Sequence, residues 1–241
     1  RSTPKPSSAA SDVYKRQALE EKAIAPEDRV HDTGRITIGG WPINNHDKKA
    51  NGLVGLAKVL QVSSNVGMVR AMGRMKTDVY WDWMNRLEID QRPDTDLPGA
   101  VAGQLKSKEQ FITHPIEPAT TAFGQGFALT PLKLVQLHAV LANGGRLVSP
   151  HITRGFRSGG ALAPPASPSG RKLISPEVAA TVLSWMESVV EQGSGVGVKT
   201  PGYRIGGKTG TAQKALNGIY PVSYTHLRAH ETKANLVCRL L

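Results

Sequence analysis

Two short runs in this sequence hold residue types that can perform acyl transfer: Ser63-Ser64-Asn65 and Lys208-Thr209-Gly210-Thr211. A serine hydroxyl is a poor nucleophile unless a base removes its proton, and a leaving amine needs that proton returned. Taken alone, Ser63 and Asn65 would read as a capping pair between two helices, and Lys208 as an exposed strand lysine. A serine hydroxyl and a lysine amine serve one proton transfer only when they lie within hydrogen-bond reach, about 3 Å. Gly210 adds to this, because a glycine inside a strand often marks the close approach of another backbone. An extended peptide would add there as an extra strand, with the amide N–H of Thr211 as half of an oxyanion hole.

A second motif overlaps the lysine run. Gly202 to Thr209 satisfies G-x-x-x-x-G-K-[ST], the phosphate-cradling loop of nucleoside triphosphatases. Such a loop follows a buried strand and opens a helix. Here Gln192 to Pro201 is Gly-rich, and Gly210 with Asn217-Gly218 interrupts any helix after Lys208, so the context favours the acyl-transfer reading. His226 and His230 stand four residues apart, but Leu227 takes the place of the glutamate that a zinc protease needs. His138 falls on an apolar helix face and is expected to be a buried structural histidine. Met68, Met72 and Met75 form a stripe expected to fill core, and Ser64 is expected only to space its neighbours.

The elements that must position these residues can be read from apolar periodicity. Leu53, Leu56, Ala57 and Leu60 predict one helix, and Tyr80, Trp83, Met84 and Leu87 another behind a Thr77 N-cap. Thr130-Pro131 opens a helix through Leu134, Leu137 and Leu141 that stops at Asn143-Gly144-Gly145. Ser175-Pro176 opens a further helix, with Val178, Val182, Trp185, Met186 and Val189 as its stripe and Gly193 at its end. Ser63 falls where one apolar helix ends and Val66, Val69 and Gly73 begin another. Arg35 to Ile38, Arg146 to Thr153 and Tyr203 to Gln213 are predicted strands, and residues 154–170 a surface loop.

The S-x-N and K-T-G combination resembles the motif set of class A β-lactamases and penicillin-binding proteins. The wider resemblance, over about residues 18–221, is to the class B penicillin-binding proteins, especially the cell-division transpeptidases. Val62 to Gly67 (VSSNVG), Phe123 to Pro131 (FGQGFALTP), Leu141 to Gly145 (LANGG) and Tyr203 to Lys214 (YRIGGKTGTAQK) look like family segments in family order. Ala18-Leu19-Glu20-Glu21 looks like the tail of the helix that begins with the catalytic serine. The resemblance implies an α+β transpeptidase fold, truncated at both ends. An antiparallel sheet is flanked by helices, with a mainly helical subdomain and the cleft between them.

In that family a serine attacks the carbonyl between the two terminal D-alanines of a peptidoglycan stem peptide. The resulting acyl-enzyme is resolved by an amine of a neighbouring strand. The resemblance assigns the proton relay to Ser63, the hold on the Ser63 hydroxyl and positive potential to Lys208, and donation to the substrate's amide carbonyl to Asn65. Thr209 and Thr211 would bind the terminal carboxylate, beside Gly210. It implies stem peptides and β-lactams as ligands, cell-division proteins as partners of the parent, and neither metal nor organic cofactor. The parent would be held in the inner membrane by an N-terminal anchor and face the periplasm or cell exterior. A non-catalytic relative that senses β-lactams or stem peptides is the alternative from a different class.

The family's S-x-x-K motif is the point of departure. Ser2-Thr3-Pro4-Lys5 matches it literally, but lies far from Ala18, and Pro6 to Ser11 is a poor continuation of the helix that must carry serine and lysine. The sequence is therefore expected to lack the nucleophile. Residues 1–17, rich in Ser, Ala, Pro and Lys, are expected to be disordered, and 222–241 differ abruptly from what precedes them. Both are expected to be foreign to the partial transpeptidase domain at 18–221, and the K-T-G strand is expected to lack sheet partners.

Composition bounds the remaining classes. The formal charge is +11, but the two ends contribute five of those charges, and the rest are scattered rather than gathered in a basic stripe with stacking aromatics. Nucleic-acid binding is thereby disfavoured. One cysteine, Cys238, excludes an internal disulfide framework. No run of about 18 apolar residues is present, and the first residues lack the apolar stretch of a signal peptide.

Overall fold

Helix α1 (Ser11–Glu20) opens the part of the chain that the computed structural model describes, namely residues 11–153, 155–158, 161–163, 170–210 and 238–239. Its extent corrects the expectation of disorder over residues 11–17. Arg16, Gln17 and Ala18 are fully buried, and the Arg16 guanidinium donates to the Leu137 carbonyl at 2.9 Å. Composition alone undervalued this segment, because helices of this length draw most of their stability from tertiary packing. Glu20 and Glu21 also bond across the fold. Glu20 accepts from the Ser175 amide and hydroxyl, each at 2.9 Å, and Glu21 accepts the Trp83 indole N–H at 2.7 Å.

Strand β1 (Arg29–Asp32) buries Val30 and Asp32 while Arg29 and His31 face out, the period of two expected of a half-buried strand. Strands β2 (Arg35–Ile38) and β3 (Trp41–Asn44) form a hairpin in register Ile36 to Ile43. The link Gly39-Gly40 has positive φ at both residues, 55° and 84°, the requirement of the two-residue turn whose twist matches the strands. Strand β4 (Gly52–Gly55) returns antiparallel to β1, with Leu53 opposite His31.

Leu53 is thus a correction. It lies in β4, 62% exposed, and the helix it was expected to join begins only at Leu56. Helix α2 (Leu56–Gln61) starts directly behind Gly55, which is still extended and paired with Arg29 and so ends the strand ladder at the helix N-cap position. Helix α3 (Asn65–Met72) buries Val66, Met68, Val69 and Met72, and Met75 beyond it is buried too, as the methionine stripe foretold. Helix α4 (Thr77–Arg86) has Lys76 at its N-cap position, without a side-chain cap bond, where Thr77 was expected, and buries Tyr80, Trp83 and Met84. The Tyr80 and Phe111 rings meet edge to face at 5.3 Å, so α4 locks onto α5 (Lys108–Thr113).

Helix α6 (Ile116–Ala122) leads to α7 (Pro131–Ala142), whose Thr130 cap accepts from the Lys133 amide at 3.1 Å, with Pro131 in the first turn as expected. His138 is buried, its Nδ1 2.9 Å from the Leu134 carbonyl. The expected strand 146–153 shortens to β5 (Arg146–Leu147). The Asp96 carboxylate takes the Ile152 and Thr153 amides at 2.8 and 2.7 Å, and Pro150 has no amide to offer a ladder. Residues 154–170 are not loop throughout, because β6 (Phe156–Ser158) and β7 (Ala161–Ala163) pair antiparallel. Strand β8 (Arg171–Lys172) pairs with β5.

Helix α8 (Pro176–Gln192) is the longest element and carries the expected Ser175 cap and Gly193 end. Its buried face of Ala179, Val182, Trp185, Met186, Val189 and Val190 joins the core, while Val178 is only half-buried. Strand β9 (Ile205–Gly206) is the described remnant of the strand expected over 203–213, and residues 211–213 lie outside the described residues. It pairs with β10 (Cys238–Arg239), so its edge is not left open as expected. An unpaired edge accepts whichever extended segment reaches it. The architecture is α+β with every pairing antiparallel, the expected sheet being broken into five two-stranded pieces among the described residues. No described helix is long and apolar enough to cross a membrane.

One buried cation stands out against this core. Lys133 is fully buried, and its Nζ finds no hydrogen-bond partner among the described residues. Burial pushes its pKa down, and the Glu88 and Asp90 carboxylates only partly oppose this. A group whose folded-state pKa is depressed binds fewer protons folded than unfolded, so the penalty is full below the folded-state pKa and fades as pH rises toward the unfolded value. Lys133→Met is expected to raise Tm at pH 7 by about 2–5 °C, an advantage that shrinks above pH ~10. Thermal scans at the two pH values check this; equal melting of both proteins at pH 7 would show that the ammonium carries no cost.

Candidate active site

The Ser63 turn is a helix C-terminus with an unusual occupant. The Ser63 amide donates to the Leu60 carbonyl at 3.1 Å and the Ser64 amide to the Val59 carbonyl at 3.0 Å, the paired bonds of a Schellman motif closing α2. That motif places one residue in the left-handed region, and the residue here is Ser63, with φ 58°. Glycine is the usual occupant, and a side-chain-bearing residue pays about 1–2 kcal/mol for the conformation. Strain of this kind persists where the surroundings over-determine it, often at functional sites. Ser64 then caps α3, accepting from the Gly67 amide at 2.8 Å. Gly67 allows α2 and α3 to touch, because a Cβ there would sit 2.8 Å from both Val59 methyl groups.

Helix α8 joins the two halves of the site. Its end docks on α2 through the Ser194 amide, which donates to the Gln61 carbonyl at 3.0 Å. Its side supports β9, with the Gly207 amide donating to the Met186 carbonyl at 3.2 Å. The residue after Gly207 is thereby carried to the Ser63 turn. Lys208 is 3% exposed, and its Nζ donates to the Ser63 Oγ at 2.7 Å and to the Thr209 carbonyl at 2.8 Å. The two residues are 145 apart in sequence, and the distance required of them is met. An ammonium can only donate, so Ser63 Oγ accepts from it and its own O–H points away from the amine.

Asn65 stands at the same mouth, and its side-chain N–H donates to the Asn44 carbonyl at 2.9 Å. Thr209 lies beside Lys208, and its hydroxyl meets the Ser194 hydroxyl at 2.9 Å. Gly210 is half-buried next to them, and Thr211 lies outside the described residues. Val59, Leu60, Met68 and Phe123 supply the apolar wall of the crevice that Ser63, Asn65 and Lys208 line. No helix opens at Thr209 among the described residues, and the segment before β9 is helix end and 3-10 turn, so the phosphate-loop reading lacks its context.

Three features escaped the sequence reading. Phe123 was seen only as part of a family segment, and Ser194 only as loop. Ser64, expected to be a spacer, is the centre of a buried polar cluster. Its hydroxyl donates to the Asp32 carboxylate at 2.7 Å, and that carboxylate also accepts from Asn51, from the Asn45 side chain at 2.9 Å and from the Gly34 amide at 2.8 Å. Burial pushes the Asp32 carboxyl up, and the hydrogen bonds from Ser64, Asn51, Gly34 and Asn45 more than offset it, leaving it below the usual value. The Ser64 cap was legible in principle as a serine at a helix start; its partner 32 residues upstream was not.

Residues 2–225 match the penicillin binding protein transpeptidase domain family. A peptidoglycan D,D-transpeptidase FtsI homolog of Mesostigma viride is 38% identical over 220 residues, covering 82% of this chain and 37% of that protein. The chain spans about a third of the length of the curated relatives it matches. Among solved structures, the apo transpeptidase domain of Burkholderia pseudomallei penicillin-binding protein 3 superposes with a TM-score of 0.78 at 30% identity, over 91% of this chain and 64% of that one. Penicillin-binding protein 3 of Mycobacterium tuberculosis in complex with ampicillin gives a TM-score of 0.80 at 27% identity, over 89% of this chain and 49% of that one. Because the family match runs through both halves of the crevice, from ahead of α1 to beyond Gly210, the chain belongs to the penicillin-binding protein transpeptidase domain family.

Proposed function

We propose that this chain is the relay and substrate-binding part of a serine-type peptidoglycan D,D-transpeptidase. The observation that carries the reading is the 2.7 Å hydrogen bond from Lys208 Nζ to Ser63 Oγ at the mouth that Asn65 shares. The nucleophile attacks the carbonyl between the terminal D-alanines, and its proton passes through Ser63 to the departing D-alanine amine. Lys208 fixes the Ser63 oxygen and lends positive charge to the substrate's carboxylate, which Thr209 and Thr211 bind. Asn65, oriented by Asn44, keeps an amide N–H for the stem peptide's carbonyl. A peptide strand lies along Gly210. An amine from a neighbouring glycan strand then takes the acyl group. The reading includes β-lactams as ligands, supported by the ampicillin complex of the Mycobacterium tuberculosis neighbour, and needs no cofactor. It places the parent at the inner membrane, its domain facing outward, among cell-division proteins.

The nucleophile decides the outcome for this particular chain. Acylation needs a positioned hydroxyl that bonds to carbon, and Ser63, Asn65, Lys208 and Thr211 are committed to other roles. Incubation with a fluorescent penicillin followed by denaturing electrophoresis is expected to give no covalent band. A second reading is favoured by one observation, that the family match begins at residue 2 and so takes in Ser2-Thr3-Pro4-Lys5. Those residues lie outside the described ones. A stable band mapped by mass spectrometry to Ser2 would establish this second reading and overturn the expectation of an inactive chain.

A further inference from the structure

We infer that Asp32 is a positioning residue for the Ser63-Ser64-Asn65 turn, acting through Ser64 and Asn45 to hold Ser63 in its left-handed conformation under Lys208. The inference rests on the proposed function, since it names what that function's relay depends on. Asp32 touches none of the residues assigned to chemistry. It is fully buried at the end of β1, and donors from Gly34, Asn45, Asn51 and Ser64 converge on its two carboxylate oxygens. Asn45 donates to both oxygens at 2.9 Å and is itself tied to the β2 hairpin by its amide, which donates to the Gly34 carbonyl at 2.9 Å.

From this anchor and the adjacent Asn44, contacts reach the three residues that follow Ser63, namely Ser64, Asn65 and Val66. The Asp32 carboxylate accepts the Ser64 hydroxyl, so the Ser64 oxygen is oriented to receive the Gly67 amide. Asn45 Oδ1 accepts the Val66 amide at 3.1 Å, satisfying another free donor of the α3 N-terminus. The adjacent Asn44 carbonyl accepts the Asn65 side chain. The Schellman bonds hold Ser63 from the α2 side only, so its strained backbone is closed on the α3 side by Ser64. A carboxylate suits this post, because an ionised group accepts from all four neighbours at once and makes the stronger class of hydrogen bond.

The test uses the full chain and two readouts. One is acetylation of Lys208 by a soluble acylating reagent, resolved by peptide mass spectrometry; the other is equilibrium binding of a fluorescent penicillin by anisotropy. Asp32→Ala and Ser64→Ala are expected to raise Lys208 acetylation and weaken penicillin binding, each by about tenfold, the size of one charge-assisted hydrogen bond. Ser64→Thr, which keeps the oxygen, is expected to restore both. Asp96→Ala removes a carboxylate that also binds two backbone amides but does not line the crevice, and is expected to change neither. If Asp32→Ala does not fold by circular dichroism, Ser64→Ala carries the decision. A folded Ser64→Ala protein with wild-type Lys208 protection overturns the inference. Absence of penicillin binding in the wild type overturns the proposed function instead, and Lys208 acetylation still decides the role of Asp32.

Discussion

Lys208→Ala is expected to slow acylation by a fluorescent penicillin by about 10²–10³-fold in a chain that carries a serine-bearing helix start ahead of Ala18. Two losses combine in this substitution. The Ser63 oxygen gives up the donor that fixes it at 2.7 Å, so the proton relay loses its geometry. The crevice also loses the cation that favours an incoming carboxylate, in a place where 3% exposure leaves little water to screen it. Time courses of the labelled band check the prediction, with Lys106→Ala as the control. Lys106 pairs with Glu117 at 3.6 Å, half-exposed and outside the crevice. Lys208→Arg is expected to recover little, because a planar fork does not replace a compact ammonium that divides its donors between Ser63 and the Thr209 carbonyl. Acylation of Lys208→Ala within threefold of the parent rate would remove Lys208 from the mechanism.

Gly145→Ala is expected to cost about 3–5 kcal/mol, a large part of the stability of a typical domain. Gly145 has φ 92°, and a Cβ built on it would lie 2.3 Å from the Ile174 carbonyl oxygen. That oxygen has no room to retreat. The Gly145 carbonyl accepts the Leu173 and Ile174 amides at 2.9 and 3.2 Å, and the Gly145 amide closes α7 on the Val140 carbonyl at 2.7 Å. Both backbones are therefore held where they clash. Gly144 supplies the internal comparison, since it too has positive φ, 70°, but nothing lies within 4 Å of the Cβ position. Gly144→Ala bears only the conformational term, about 1–2 kcal/mol. Urea denaturation of the two variants separates the effects, and equal midpoints would show that the Gly145 contact is not a close one.

These effects differ in how far they could be foreseen. The caps Thr130-Pro131 and Ser175-Pro176, the stop at Asn143-Gly144-Gly145 and most of the buried stripes of α4, α7 and α8 were legible, with Leu134 and Val178 only half-buried, and each is written within one or two turns of chain. A cap bonds to an amide two or three residues on, and an apolar stripe repeats along its own helix, so neighbouring letters suffice. The two motifs and their order were legible in the same way, as short strings. The expectation that Ser63 and Lys208 meet came from the family resemblance that those strings carry together.

The remainder was settled by partners distant in sequence. Residues 11–17 look disordered by composition, yet Arg16 finds the Leu137 carbonyl 121 residues away and the segment is helical. Leu53 repeats at helical spacing with Leu56 and Leu60, but its backbone pairs with β1, because the ladder with His31 satisfies amides that an earlier helix start would leave free. Ser64 reads as filler until Asp32 and Asn45 fold beneath it, and Ser63 is forced into the left-handed region by a helix end on one side and that cluster on the other. Short-range signals choose elements because their energetics close within the element. Which buried carboxylate meets which hydroxyl, and where a strand yields to a helix, depends on the sum of burial and hydrogen bonding over the whole packed chain, and that sum exists only in three dimensions.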